Sequence, residues 1–272
     1  MKNRNNESSN GSAGHYVQLQ HIYKTFNKGS INEVPLFHDF NLTVDKGGFV
    51  TVVGSNGSGK TTMLNVICGS TQIDDGSIIV NGKDVSQLKE HQRASFIGRV
   101  FQDPGKGTCP SLTILENMSL ADNKGRPYGL TPGIKKRRRD QYCTLLEQLK
   151  LGLEDKTDVK VGSLSGGQRQ ALALLISTMV PVDLLILDEH TAALDPRISE
   201  TIMELTDRLI AEKGVTTIMV THNLRYAVEY GNRLLMMHEG GFVLDASEDE
   251  KKTHEVSDLL DLFNEISIEC GN

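Results

Sequence analysis

The chain has 272 residues, 38% of them hydrophobic and 24% charged, with no Trp. That is ample apolar material for a sizeable core and excludes wholesale disorder. Its 29 basic residues against 35 acidic ones leave a net charge of −6, which argues against a protein that coats nucleic acid. No apolar run reaches the roughly 18–20 residues of a membrane helix, and the first residues lack a signal-peptide core. A soluble chain that stays where it is made is expected.

Residues 1–14, MKNRNNESSNGSAG, read as a disordered polar tail. Val17–His21 and Phe37–Val44 are predicted strands, and Phe49–Val53 is a short buried strand that runs into glycine. Lys60–Gly69 reads as a helix with Gly69 as its C-cap. Ser77–Val80 is a strand closed by the turn pair Asn81-Gly82, and Gly98–Phe101 is strand-like. From about 103 to 165 the character changes: the loop Pro104–Gly107, a helix Thr113–Leu120, a Gly/Pro-rich turn region and a polar helix Lys135–Lys150 read as a helical insertion. Then follow helix Gln168–Thr178, strand Leu184–Leu187, helix Arg197–Lys213, strand Thr216–Val220 and helix Leu224–Tyr230. Strand-like runs Arg233–His238 and Gly241–Ala246 come next. Strands alternating with helices predict an α/β core with a mainly parallel sheet. Over Thr253–Phe263, Val256, Leu259, Leu260 and Phe263 share one helical face that is expected to dock on the core.

Cys68, Cys109, Cys143 and Cys270 are too scattered for a metal knuckle or redox pair and read as reduced, small apolar side chains. The run Lys135-Lys136-Arg137-Arg138-Arg139 has no aromatic residues interleaved and reads as a solvated face.

Gly54-Ser55-Asn56-Gly57-Ser58-Gly59-Lys60-Thr61 matches G-x-x-x-x-G-K-[ST] at every position, between a buried strand and a helix. Glycines let the backbone curl tightly and aim successive N–H groups at phosphate oxygens, and the helix adds its positive end. In this pattern Lys60 reaches the β- and γ-phosphates and the Thr61 hydroxyl ligates Mg²⁺, with Thr62 in the same first turn. Leu184–Leu187 ends in Asp188-Glu189, which puts two acids at the carboxyl end of a buried strand, where ligands sit in open α/β sheets. Asp188 is the expected Mg²⁺ holder and Glu189 the expected activator of the attacking water. These motifs specify a nucleoside triphosphatase or a kinase without choosing between them.

Leu164-Ser165-Gly166-Gly167-Gln168-Arg169-Gln170 supplies a second backbone anion site at a helix N-terminus. Here the chain resembles the ATP-binding cassette (ABC) family, whose signature motif is this string. The resemblance spans roughly Val17 to Ala246 and implies a RecA-like P-loop NTPase core with an antiparallel β region and an inserted helical subdomain. The cassette itself would then occupy residues 15–250, followed by a C-terminal helix and tail over 251–272. It implies ATP hydrolysis with Mg²⁺, in a head-to-tail dimer where Ser165, Gly166, Gly167 and Gln168 of one subunit face the phosphate loop of another. Gln102 resembles the glutamine that senses Mg²⁺ and the lytic water, Ala192–Asp195 the loop that crosses the dimer interface, and His222 the switch histidine at the γ-phosphate. Phe26 resembles the aromatic under the adenine ring, with Tyr23 as the competing candidate. His190, where many relatives carry proline, and Ala171-Leu172 depart from the family pattern in ways that bear on dimer packing rather than on catalysis.

With no membrane span of its own, an ABC ATPase needs a separate transmembrane permease, which would hold it at the cytoplasmic face of the membrane. The resemblance favours import of a small solute such as an amino acid, aromatic ones included, with an extracytoplasmic solute-binding protein and a second ATPase subunit, identical or not, as partners. An efflux or lipoprotein-release complex is the alternative. A soluble cassette of translation or DNA repair is less favoured, since the chain has neither a fused second cassette nor a long coiled-coil insertion.

Overall fold

The structure, a computed structural model, describes residues 15–124 and 136–269. The expected tail, the Gly/Pro-rich turn region at 125–135 and Cys270 lie outside the described residues. In chain order the elements are β1 (Val17–Phe26), β2 (Val34–Val44), β3 (Phe49–Gly54), α1 (Lys60–Cys68), β4 (Asp75–Val80), β5 (Lys83–Asp84), α2 (Glu90–Arg93) and β6 (Ile97–Val100). Two helices follow, α3 (Ile114–Asp122) and α4 (Arg139–Glu147). The second half comprises α5 (Gly166–Thr178), β7 (Leu184–Asp188), α6 (Pro196–Lys213), β8 (Thr216–Val220), α7 (Leu224–Glu229), β9 (Arg233–His238), β10 (Gly241–Ala246), α8 (Glu248–Lys251) and α9 (Val256–Glu269).

The strands divide between an antiparallel sheet, β2-β1-β4-β5, and a six-stranded sheet, β10-β9-β3-β8-β7-β6. All neighbours in the second sheet are parallel except β10 on β9. Parallel strands covered on both faces read as unbroken apolar runs, and alternate residues serve different cores. Leu184 and Ile186 of β7 join Val50, Val52, Ile218 and α1 in the core beneath the antiparallel sheet. Leu185 and Leu187 face the opposite way, into the core shared with α3, α4, α5 and α6. A smaller cluster holds α7 and α9 against Val53, Leu234 and Met236. The parallel β3 lies between β8 and β9, so its carboxyl end is the point where the strand order reverses. Such a crevice is where open α/β sheets bind ligands.

Several elements differ from the sequence expectation. β1 continues past His21 to Phe26, because register shifts around Ile22 and a left-handed His21 (φ 52°) bulge the strand and interrupt its alternation without ending its pairing. The polar helix is shorter than Lys135–Lys150: a 3₁₀ turn, Lys136–Arg138, leads into α4, which stops at Glu147 before a left-handed Lys150 (φ 56°). Nor are its arginines simply a solvated face. Arg138 pairs with the buried Asp122 at the end of α3, and Arg139 reaches Thr157 and Asp158. In α9 Leu259 is buried, but Leu260 is 48% exposed and Leu262 and Phe263 take the inner positions. α9 starts at Val256 and runs to Glu269, with α8 as a separate short helix before it. Of the described cysteines, only Cys68 is buried; Cys109 is exposed and Cys143 half-buried.

Candidate functional site

β3 delivers the chain to the phosphate loop, and Gly54 shows why glycine is needed there. Its φ is 154°, and a Cβ at this position would stand 2.2 Å from the Met237 carbonyl oxygen of β9. The loop turns back at once: Ser58 N–H donates to Ser55 O at 3.2 Å. Gly59, with φ 104°, then starts α1, and no side chain caps this N-terminus among the described residues. The first N–H groups of the helix therefore keep their donor capacity for an anion. Lys60 is buried, and its Nζ donates to Gly54 O at 2.7 Å and Ser55 O at 2.8 Å. Burial pushes its ammonium below the usual lysine range, an effect that the nearby Glu189 carboxylate opposes. The lysine thus braces the loop from within and lines the cavity over it.

β7 delivers the acids. Glu189 has a left-handed backbone (φ 49°), a conformation that costs a residue with a side chain on the order of 1–3 kcal/mol. Two hydrogen bonds hold it there, Glu189 N–H to Val220 O at 2.9 Å and Ala192 N–H to Glu189 O at 3.0 Å. The turn aims the Glu189 carboxylate at His222, just beyond β8, whose Nε2 lies 2.6 Å from Oε1. Asn56–Thr62, Glu189, His222 and Leu36 of β2 line one cavity of about 150 Å³. The fold has therefore joined the phosphate loop, the expected general base and the expected switch histidine from three separate stretches of chain.

Other predicted residues are placed elsewhere. Phe26 ends β1 with Lys24 Nζ 5.2 Å from its ring centroid, and Tyr23 packs edge-on against His38. Gln102 is exposed in the turn after β6. Neither Phe26 nor Gln102 lines the cavity over the phosphate loop, and neither does Asp188. Asp188 is instead held by an arginine that the sequence reading missed: Arg99 Nη2 donates to Asp188 Oδ2 at 2.7 Å. A charged residue in the otherwise apolar strand IGRV was the available signal. Leu36 and Phe263 were missed as well; Phe263 reaches the outer side of the loop beside Gly54, Ser55 and His222.

The signature segment opens α5. Ser165 caps it, accepting from Gln168 N–H at 3.3 Å, while Gln168 Oε1 accepts from Ser165 N–H, also at 3.3 Å. Gly167 is buried because α6 crosses it; a Cβ there would meet Ile198 Cγ2 at 2.3 Å. His190 is likewise turned inward rather than toward a partner surface. It is fully buried against α6, with Nε2 3.1 Å from Thr206 Oγ1, and burial pushes its pKa down to about 4. Ala171 and Leu172 are also fully buried, so both departures from the family pattern are matters of internal packing.

The residues expected to hold Mg²⁺ are a hydroxyl (Thr61), a carboxylate (Asp188) and an amide (Gln102), an all-oxygen set of the kind this hard cation takes. Among the described residues no group of three or more His, Cys, Asp or Glu could hold a metal by itself. A bound Mg²⁺ would complete its shell with waters and phosphate oxygens, since this cation keeps much of its hydration when protein ligands are few.

The sequence profile of a family described as "ABC transporter" matches residues 37–192. The chain belongs to that family. It is 42% identical over 247 residues to a tyrosine transport ATP-binding protein of Clostridioides difficile (strain R20291), covering 91% of this chain and 98% of that protein. It is 32% identical to the spermidine/putrescine import ATP-binding protein PotA of Haemophilus influenzae, over 86% of this chain and 58% of the relative. Among solved structures, the dimeric post-hydrolysis state of the ATP-binding cassette MJ0796 bound to ADP and Pi superposes with a TM-score of 0.71. There the identity is 31%, covering 85% of this chain and 98% of that one. The ADP conformation of the cassette MJ1267 gives a TM-score of 0.76 at 25% identity, over 95% and 100% of the two chains. The RecA-like P-loop fold and the reaction, ATP hydrolysis, follow from this membership. The protein is the ATP-binding subunit of an ABC transporter, and no helix among the described residues is long and apolar enough to cross a membrane.

Proposed function

We propose that this ABC ATPase powers import of a small amino acid-type solute through a separate permease, working as one half of a head-to-tail pair of cassettes. The observation that carries the cargo class is the near full-length likeness to a tyrosine transport ATP-binding protein. The likeness to a macrolide export ATP-binding/permease protein, 32% over 242 residues, keeps export as the second reading. In the import reading the subunit sits at the cytoplasmic face of the membrane beside a permease, supplied with solute by a binding protein.

The pairing is supported by what each chain leaves incomplete. Ser165, Gly166, Gly167 and Gln168 do not line the cavity over their own phosphate loop. A second subunit facing the first would close each ATP between one loop and the other chain's signature. Within the site, backbone N–H groups of Gly54–Thr62 bind the phosphates, and Lys60 exchanges its loop carbonyls for β- and γ-phosphate oxygens. Thr61, Asp188 and Gln102 would hold Mg²⁺, which supplies charge neutralisation at the β- and γ-phosphates. Glu189 accepts the proton of the attacking water, and His222 keeps that carboxylate oriented while facing the γ-phosphate. Phe26 is the proposed platform for adenine. Positioning and electrostatics of this kind supply most of the catalysis in phosphoryl transfer.

Reconstituting the subunit with its permease and binding protein in proteoliposomes tests the reading. Labelled tyrosine and other aromatic amino acids should accumulate in an ATP-dependent manner, and solute-loaded binding protein should stimulate hydrolysis. ATP-dependent movement only in the outward direction would replace import with export. For the pair, sedimentation should show more dimer with ATP when hydrolysis is blocked; no change in the isolated chain or in the permease complex would sink the sandwich.

A further inference from the structure

Arg99 occupies an unusual place for a guanidinium. It lies on β6, the edge strand of the parallel sheet, opposite Ile186 of β7, and only 12% of its side chain is exposed. Its Nη2 donates to Asp188 Oδ2 at 2.7 Å, and its Cζ sits 4.6 Å from the centroid of the Phe101 ring. Among the described residues its buried Nε has no hydrogen-bond acceptor. A half-buried guanidinium whose printed ion pair and side-chain hydrogen bond both go to Asp188 is held chiefly by that carboxylate, with the face of the Phe101 ring as its second support. The same strand leads directly into the glutamine turn, where Phe101 O accepts from Gln170 Nε2 at 3.2 Å.

We infer that Arg99 is a positioning residue that sets the divalent-metal affinity of the site by sharing the Asp188 carboxylate with the metal. The inference rests on the reading of Asp188 as the Mg²⁺ holder. The guanidinium fixes one carboxylate oxygen, Oδ2, which orients Oδ1 for coordination. Its positive charge also opposes a second cation at the same carboxylate. The subunit would consequently require more free Mg²⁺ for nucleotide binding than a cassette with an apolar residue here. Because Arg99 is stacked on Phe101, any displacement of the glutamine turn would alter the carboxylate that holds the metal.

The test titrates Mg²⁺ into the full chain with a fluorescent ATP analogue and reads nucleotide binding rather than turnover. R99M should lower the half-saturating Mg²⁺ concentration by roughly 3–10-fold, the scale expected for removing one partly buried charge beside the metal. Binding of the analogue in EDTA should stay within about twofold, since the arginine touches no phosphate-loop residue. R99K keeps the charge and should stay near the wild-type midpoint. R99Q keeps an N–H donor without the charge; it should reproduce the shift and serves as the neutral variant if R99M does not fold. An unchanged or raised midpoint in a folded neutral variant overturns the inference. D188N separates the two layers: it should abolish the Mg²⁺ dependence. If it does not, the reading of Asp188 fails; if it does while the neutral variants match wild type, only the role of Arg99 fails.

Discussion

The N-termini of α1 and α5 are both glycine-rich and both proposed to face phosphate, yet they are finished differently. At α1 the cap is a left-handed glycine with no side-chain acceptor, a buried lysine stands behind it, and Glu189 and His222 complete the cavity. At α5 the cap is Ser165, and a reciprocal pair of hydrogen bonds with Gln168 already satisfies one of the first N–H groups. The first terminus gathers side chains from separate stretches of one chain around a single cavity. The second is a rigid, self-capped surface that needs a ligand brought to it. One helix supports both, because α6 packs under His190 beside Glu189 and under Gly167 of the signature. A change at either terminus can reach the other through that helix.

The largest expected effect comes from the chemistry at the first terminus. Glu189→Gln keeps size and polarity but cannot accept the water's proton, so single-turnover hydrolysis should fall roughly 10²–10⁴-fold, or about 3–5 kcal/mol of barrier. Equilibrium ATP binding should persist, leaving both termini closed on ATP. Near-normal hydrolysis would move the base to another group, with His222 the first to examine. Lys60→Ala breaks the first terminus as a binding site. Losing a charge-assisted contact worth about 1.5–3 kcal/mol should weaken ATP roughly 10–100-fold, read by calorimetry.

The shared support is tested by pH. His190 is neutral in the fold, with a pKa of about 4 against an unfolded value near 6.5. A depressed folded pKa means its contribution is fully present above pH 6.5 and is lost as pH falls toward 4. The slope is about 1.4 kcal/mol per unit, so roughly 2 kcal/mol should disappear between pH 6.5 and 5. Denaturant midpoints of wild type should decline more steeply over that window than those of His190→Gln. Parallel declines would show that the histidine does not carry the effect. The smallest change is expected at the second terminus. Ser165→Ala removes the cap and should cost about 1 kcal/mol of stability while leaving ATP affinity of the isolated chain intact. A loss of that affinity would mean that the signature acts on its own chain's nucleotide, against the contrast drawn between the two helices.

Most of the parallel sheet was legible because strands buried on both faces leave continuous apolar runs, and Leu184–Leu187 and Thr216–Val220 keep their expected places. The phosphate loop was legible for a related reason: a cradle of successive backbone N–H groups must be written contiguously, as Gly54–Thr61 is. The ends of α4, the length of β1 and the inner face of α9 were not. A bulge at His21 and tertiary pairing of Arg138 and Arg139 override local periodicity.

By itself, then, the sequence wrote out the phosphate-loop, acid and signature motifs, since each is a local string whose chemistry depends on spacing along the chain, and the resemblance these strings carry implied the family and its nucleotide. Only the tertiary structure decided which of them meet. Glu189 and His222 close to 2.6 Å because β7 and β8 are parallel neighbours ending at the same edge. Arg99 reaches Asp188 across 89 residues of chain because β6 lies beside β7. No local pattern encodes such a pairing; strand order does.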